Sequence, residues 1–313
     1  MTRILVTGAN GQIGSELTKA LRLRYGRNNV LASDIFAPDR IEEPFGIVDI
    51  LNKERLAQVV ENEGVTQIYH LAAILSARGE SEPLRTWDIN MQGLFNVLEV
   101  ARTFHLEKVF FPSSIAVFGK NTPADQTPQH TVAEPETVYG MSKSAGENWC
   151  QYYYKRYGLD IRSVRYPGII GHGQKPGGGT TDYAVDIYHH AVQGKNYECF
   201  LKADTALPML YMDDAIKGTI DLMEAPPEKI KVRTSYNLSA MSFTPAEVYE
   251  ALKKHYPDFE IIYKPDFRQA IADSWTDSID DSEARKDWGW KPEFDLEKMT
   301  KVMIEELKKQ GGL

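Results

Sequence analysis

Along the first 165 positions, short apolar runs alternate with longer stretches whose apolar residues recur every three or four places. Residues 3–6 form an apolar run that ends in a glycine turn. Residues 12–25 put Ile13, Leu17 and Leu21 on one stripe and predict a helix. Runs at 29–33 and 46–48 predict a second strand and a short third. Residues 53–63 carry Leu56, Val59 and Val60 on one face, a second helix, and 67–71 predict a fourth strand. A long helix over 86–104 buries Leu94, Val97, Leu98 and Ala101, and a fifth strand follows at 108–111. Residues 139–157 predict a helix and 161–164 a sixth strand. Such alternation implies a parallel sheet covered by helices on both faces.

After Tyr166 the texture changes. Residues 168–181 hold six glycines and one proline and predict a loop. Helices are expected near 182–193, 213–224 and 245–255, with a proline-flanked stretch at 207–211 and punctuation at Pro226-Pro227. The expected fold class is α/β: a doubly wound parallel sheet of Rossmann type, with a smaller C-terminal α/β substrate lobe. The division falls at 1–165 and 166–313, a soft boundary, because the chain is expected to cross back to the sheet. The lobe lies over the carboxyl ends of the strands, where doubly wound sheets bind ligands.

Composition narrows the classes. Of 313 residues, 42% are hydrophobic and 26% charged, which excludes disordered, collagen-like and coiled-coil chains. No apolar run approaches the ~18 residues of a membrane helix, and the start lacks the apolar core of a signal peptide, so a cytoplasmic protein without membrane association is expected. The formal charge of −8 opposes nucleic-acid binding. Cys150 and Cys199 lack CxxC neighbours, which suggests two unpaired thiols in a reducing compartment. His70, His172, His189 and His190 show no metal-ligand spacing, so no metal is expected, and the His189-His190 pair suggests a solvated helix surface.

The first strand passes through Thr7 into Gly8-Ala9-Asn10-Gly11-Gln12-Ile13-Gly14. Glycines at these spacings let the backbone approach a pyrophosphate, and the helix that follows offers unpaired N–H groups and its positive dipole end. Asp34 closes the second strand, twenty positions after Gly14. A carboxylate there accepts ribose hydroxyls and repels a 2′-phosphate, favouring NAD over NADP. Tyr139 and Lys143 lie four apart at the start of a helix, hence on one face. The ammonium is expected to favour the phenolate and make Tyr139 a general base. Ser114, just past the fifth strand, is placed to hydrogen-bond the reacting oxygen.

The combination of GxxGxxG, Asp34, Ser113-Ser114-Ile115-Ala116-Val117-Phe118-Gly119 and Tyr139-Gly140-Met141-Ser142-Lys143 resembles the short-chain dehydrogenase/reductase superfamily. The extended branch, which includes nucleotide-sugar epimerases, fits best, over nearly the whole chain. The resemblance implies that Ser114, Tyr139 and Lys143 are catalytic, with Lys143 also holding the nicotinamide ribose. Ser114 is preferred over Ser113 because it stands five before Gly119, as in the family pattern. The resemblance further implies a cofactor set of Thr7, Gly8, Asn10, Gly11, Gln12, Ile13, Gly14 and Asp34, with Asp49 and Ile50 by the adenine. Leu71, Ala72 and Ala73 lie along the cofactor, Asn90 behind the active site, and Tyr166, Pro167 and Ile169 beside Tyr139 and Lys143.

Two departures shape the substrate. Nucleotide-sugar epimerases typically carry an Asn in the segment matching Arg165-Tyr166-Pro167-Gly168, and a diphosphate-gripping Arg in the stretch matching residues 207–214; both are missing. Instead, Arg165–Ile170, residues 178–185, Leu207–Met212, Ser242-Phe243-Thr244-Pro245, Ile74-Leu75-Ser76-Ala77 and residues 286–290 look like the short-chain L-threonine 3-dehydrogenases. That resemblance implies NAD-dependent oxidation of L-threonine at its β-hydroxyl to 2-amino-3-ketobutyrate, with possible coupling to a 2-amino-3-ketobutyrate CoA ligase. Gly179, Thr180 and Thr181 then form a neutral nest for a carboxylate. Ser76 holds the amino or carboxylate end, and Trp275 closes over the methyl group. The glycines at 177–179 suggest closure of the lobe over substrate. An aromatic stripe on the helix after Tyr139, with Trp149, Tyr152 and Tyr153, matches the helix that pairs in family dimers and predicts a homodimer. The rivals are another reductase or epimerase with the same triad, and a non-catalytic NAD-sensing protein. Proteins of the latter kind typically lose the tyrosine–lysine pair that this chain keeps.

Overall fold

The computed structural model describes residues 2–173 and 179–311. The first half supplies strands β1 (Ile4–Thr7), β2 (Val30–Asp34), β3 (Phe45–Ile47), β4 (Gln67–His70), β5 (Lys108–Ser114) and β6 (Ile161–Tyr166). Between them run helices α1 (Gln12–Tyr25), α2 (Lys53–Glu63), α3 (Ser76–Gly79), α4 (Pro83–Thr103) and α5 (Val138–Tyr157). The second half adds strands β7 (Gly168–Ile170), β8 (Tyr197–Cys199), β9 (Leu207–Tyr211), β10 (Tyr236–Asn237), β11 (Met241–Phe243) and β12 (Ile261–Tyr263). Its helices are α6 (Tyr183–Val192), α7 (Met212–Glu224), α8 (Pro245–Lys253), α9 (Phe267–Ala272), α10 (Ser282–Trp288) and α11 (Leu296–Gly311).

The main sheet is parallel, in the order β10-β6-β5-β4-β1-β2-β3. Its strands are apolar on both faces because each face is covered. Ile4 and Val6 of β1 point to one core with Leu17, Leu21 and Trp290, while Leu5 points to the other with Leu56, Leu94 and Val97. The strand order reverses between β1 and β4, and that switch point opens a crevice at the carboxyl ends of the strands. The second half builds its own core around Tyr183, Tyr188, Met209, Phe243 and Met303.

The chain does cross back: β10 pairs with β6 as a seventh strand, and α7 covers the face that α1 covers. The loop expected over 168–181 is interrupted, because Ile169 and Ile170 carry β7 alongside β9, with Gly168 opposite Met209. Expectations resting on Gly177 and Gly178 lie outside the described residues. No described helix is long and apolar enough to cross a membrane.

Candidate active site

The glycine loop is shaped by close approaches. Gly8 has φ +73°, and a Cβ there would sit 2.6 Å from the Ala72 nitrogen in the loop after β4. A Cβ on Gly14 would sit 2.1 Å from the Gly8 carbonyl oxygen, so α1 packs onto the turn only with glycine there. Gly11 begins α1 with no side-chain cap, which leaves the first-turn N–H groups facing the cleft without a protein acceptor from a capping side chain. Asp34 sits at the end of β2. Its two oxygens accept from the Asn10 N–H at 3.0 Å and the Ile35 N–H at 2.8 Å. A carboxylate has about four acceptor sites, so both oxygens keep room for a ribose hydroxyl. An uncapped helix N-terminus with a carboxylate at the tip of the second strand suits a dinucleotide that carries no 2′-phosphate.

Tyr139 starts α5 beyond a Thr137 cap, whose hydroxyl accepts from the Gly140 N–H at 3.0 Å. Glu80 holds the same helix end by accepting from the Val138 N–H at 2.8 Å. Lys143 is buried, and its ammonium donates to the Pro112 carbonyl at 2.6 Å and stands 5.5 Å from the Tyr139 ring centre. Ser114 ends β5, accepts from the Ala116 N–H at 3.2 Å and lines the same cleft as Tyr139, whose phenol it lowers. Ser113 also lines the cleft, and its hydroxyl donates to Glu147 at 2.6 Å. The two serines thus share the cleft but differ in partner, Ser113 being engaged by Glu147. The expected electrostatic balance is corrected. Burial pushes the Tyr139 phenol up to about 12, opposed by Ser114. Burial also pushes the Lys143 ammonium down to about 8, opposed by Cys150 and Glu147. Desolvation is the larger influence on the phenol, and Ser114 is the group that opposes it.

These groups share one cleft of about 230 Å³ with Gly8, Gly11, Gln12, Ile13, Gly14, Leu71, Ala73, Ser76, Tyr166, Pro167, Ile169, Gly179, Thr180, Thr181 and Trp275. Thr180 is 1% exposed, and its hydroxyl has no hydrogen-bond partner among the described residues. The Gly179 N–H is already donated to Asp182 at 2.7 Å, so the expected nest offers hydroxyls rather than that amide. Trp275 packs against Ile115, Val117 and Phe118, in the turn that follows Ser114.

Other sequence candidates stand outside the cleft lining. Thr7 is bonded to His70 at 3.0 Å inside the sheet. Asn10 and Asp34 sit at the rim, and Asp49 is exposed and accepts from the Leu51 N–H at 2.9 Å. Ile50 is buried against Gly93. Ala72 meets Gly8 through its backbone. Asn90 braces the loop that leads into α3 at Ser76, accepting from the Ile74 N–H at 2.8 Å and donating to Ser142 at 3.2 Å. Sequence reasoning missed Leu75, Ile115 and Asp182 in the lining. It also missed Glu80 as an anchor of α5, since no local pattern joins residue 80 to residue 138. His189 and His190 are half-buried rather than a solvated surface, with the His190 ring 5.0 Å from Tyr197. His70 is buried neutral, its imidazole pushed down to about 3 first by burial and then by Lys143. Both cysteines are free and buried.

A family model described as the NAD dependent epimerase/dehydratase family matches residues 4–239. An uncharacterized epimerase/dehydratase of Staphylococcus haemolyticus (strain JCSC1435) is 50% identical, over 99% of this chain and 99% of that protein. Among solved structures, a GalE-like L-threonine dehydrogenase from Cupriavidus necator in its holo form is 57% identical with a TM-score of 0.96, covering 98% of this chain and 100% of that one. A partial consensus L-threonine 3-dehydrogenase is 58% identical with a TM-score of 0.97, covering 98% and 99%. The glycine loop, the rim carboxylate and the match over most of the chain make this protein a member of the NAD-dependent epimerase/dehydratase family, with NAD as its cofactor.

Proposed function

We propose that this protein is an NAD-dependent L-threonine 3-dehydrogenase, converting L-threonine to 2-amino-3-ketobutyrate. The carrying observation is the cleft itself. Its lining combines Thr180, whose buried hydroxyl has no partner among the described residues, with Ser114 and Tyr139. A small polar substrate supplies the missing partner. The solved neighbours named for L-threonine dehydrogenase activity support the same choice. The residues 207–211 that match the diphosphate-gripping stretch of sugar epimerases form the buried strand β9, which leaves no cation there.

The chain's own residues divide the work. The α1 N-terminus and Asp34 hold the cofactor, with Lys143 on its nicotinamide ribose. Ser76, Thr180 and Thr181 hold the amino and carboxylate groups, and Trp275 covers the methyl group. Ser114 steadies the β-hydroxyl while Tyr139 removes its proton at Oη. NAD, when bound, supplies the positively charged ring that accepts the hydride. We also propose that two copies pair through the α4–α5 face, where Trp149, Tyr152 and Tyr157 are exposed. A sedimentation mass of one chain at micromolar concentration would contradict pairing.

Absorbance of NADH tests the substrate. Growth with L-threonine, but not with D-threonine or UDP-sugars, is expected. A flat trace with NAD still bound removes threonine and keeps the fold and cofactor.

A further inference from the structure

Tyr139, Lys143 and Glu147 stand at intervals of four, so α5 presents them in a row on one face. Glu147 is buried among ionic partners that the reaction above does not use. Arg165, across on β6, grips it with two bonds, Nε to Oε1 at 2.9 Å and Nη2 to Oε2 at 2.8 Å. Ser113 donates to the same Oε1 at 2.6 Å. Arg165 is held in turn by the Gln129 carbonyl at 3.0 Å and the Asn237 side chain at 3.1 Å, and its guanidinium lies over the Phe118 ring. The residues are 4% and 7% exposed. A buried ion pair is a poor source of stability against an apolar pair of the same size, so its place behind the reacting groups asks for another reason.

That reason lies in the end of β5. Pro112, Ser113 and Ser114 are consecutive. Pro112 accepts from Lys143 and Ser113 donates to Glu147, while Ser114 lines the cleft with Tyr139. Two consecutive residues of one strand are thus tied to two residues of one helix face, immediately before Ser114. The ion pair is the anchor at the far end of this ladder, and β6 holds it in register, with Ser113 opposite Arg165 and Ser114 opposite Tyr166.

Resting on the dehydrogenase reading above, we propose that Glu147, clamped by Arg165 and Ser113, is a positioning residue for the catalytic centre. It keeps Lys143 charged and holds Ser114 in line with Tyr139. The groups facing Lys143 are few. Tyr139, Glu147 and Cys150 come from α5, His70 from β4, and Arg165 from β6 through Glu147. Of these, His70, Cys150 and Tyr139 are held neutral at working pH by burial. Glu147 is therefore the charge that offsets the desolvation of the ammonium, in agreement with the direction of its effect on Lys143. Without it, the Arg165 guanidinium remains as an uncompensated cation behind the lysine.

The test uses the ligand-free protein first. The Lys143 side chain is titrated by NMR in lysine-labelled protein and assigned by loss of its signal in Lys143→Arg. In Glu147→Gln the titration is expected to fall by about one pH unit or more, and in Glu147→Asp, which keeps the charge, by much less. With L-threonine and NAD+, Glu147→Gln is expected to lower kcat roughly tenfold with little change in KM, and to move the alkaline limb of the kcat profile down with the lysine. Ser113→Ala is expected to lower kcat a few-fold and leave the lysine titration in place. If Glu147→Gln does not fold, the charge-balanced Glu147→Gln/Arg165→Met chain is read the same way, with the lysine titration again falling below that of the parent. A folded variant with a lower melting temperature, but an unmoved lysine titration and pH profile, overturns the proposal. A parent protein that does not oxidise threonine overturns the dehydrogenase reading, while the lysine titration still decides the role of Glu147.

Discussion

The two walls of the cleft are made from different materials. On the cofactor side the work falls to backbone: Gly8 and Gly14 are small because two loops and a helix meet there, and α1 leaves its first amides bare. On the side proposed for the substrate the work falls to side chains, including a buried Thr180 hydroxyl with no partner among the described residues. A backbone wall tolerates no added atoms but does not discriminate finely between ligands. A side-chain wall tolerates small changes in shape but loses recognition when a single polar atom is removed.

The largest effect that should separate the walls comes from Gly14→Ala. The added methyl meets the Gly8 carbonyl, which cannot move without unseating the turn. NAD affinity measured by calorimetry should fall beyond detection, and the melting temperature should drop by an amount equivalent to about 1–3 kcal/mol. Retention of NAD binding by the variant would mean that the backbone wall is softer than its geometry indicates. A smaller effect is expected from Thr180→Val. KM for L-threonine should rise roughly tenfold with NAD affinity unchanged, as expected for one lost hydrogen bond. The ligand-free variant should be no less stable than the parent, because the hydroxyl has no partner there. A matched loss of NAD affinity would break the division between walls.

The smallest effect concerns the residue where the walls meet. Burial depresses the Lys143 ammonium in the folded chain, so the unfolded chain binds that proton more readily between the unfolded value near 10.5 and the folded value of about 8. Stability from this group is therefore present above the upper value and is lost as pH falls through the lower one. Lys143→Met should melt higher than the parent by roughly 2–4 °C below pH 8, a difference that shrinks towards pH 10.5. Equal melting at pH 7 would show that the bond to Pro112 fully offsets the cost of burying the charge.

Sequence pattern reached the two walls unequally. Helices over 12–25 and 53–63 were legible to the residue because their apolar stripes are uninterrupted and their ends are marked, Gly11 at one and the Asn52 cap at the other. The start of α4 was not, since Leu84 and Arg85 point outwards and hide the proline start. The two-residue β10 and three-residue β7 are too short for any period to register. In the site, Ser114, Tyr139 and Lys143 stand out in local motifs, and the fold brings the three into one cleft. The pairing of Glu147 with Arg165 joins a helix to a strand eighteen positions away, and the orphan state of Thr180 is a property of the folded cleft. The upward push on Tyr139 was likewise invisible, since burial leaves no mark in a YxxxK spacing.

The account turns on Tyr139 drawing a proton from the β-hydroxyl of threonine as hydride leaves its β-carbon. The most direct measurement follows the label from L-threonine deuterated at Cβ, mixed with the protein and NAD+, with Tyr139→Phe beside it. The prediction is deuterium at C4 of the reduced nicotinamide, with a rate lowered on the order of 10²–10⁴-fold in the variant. Unlabelled NADH, no reduction at all, or an undiminished rate in Tyr139→Phe would contradict it.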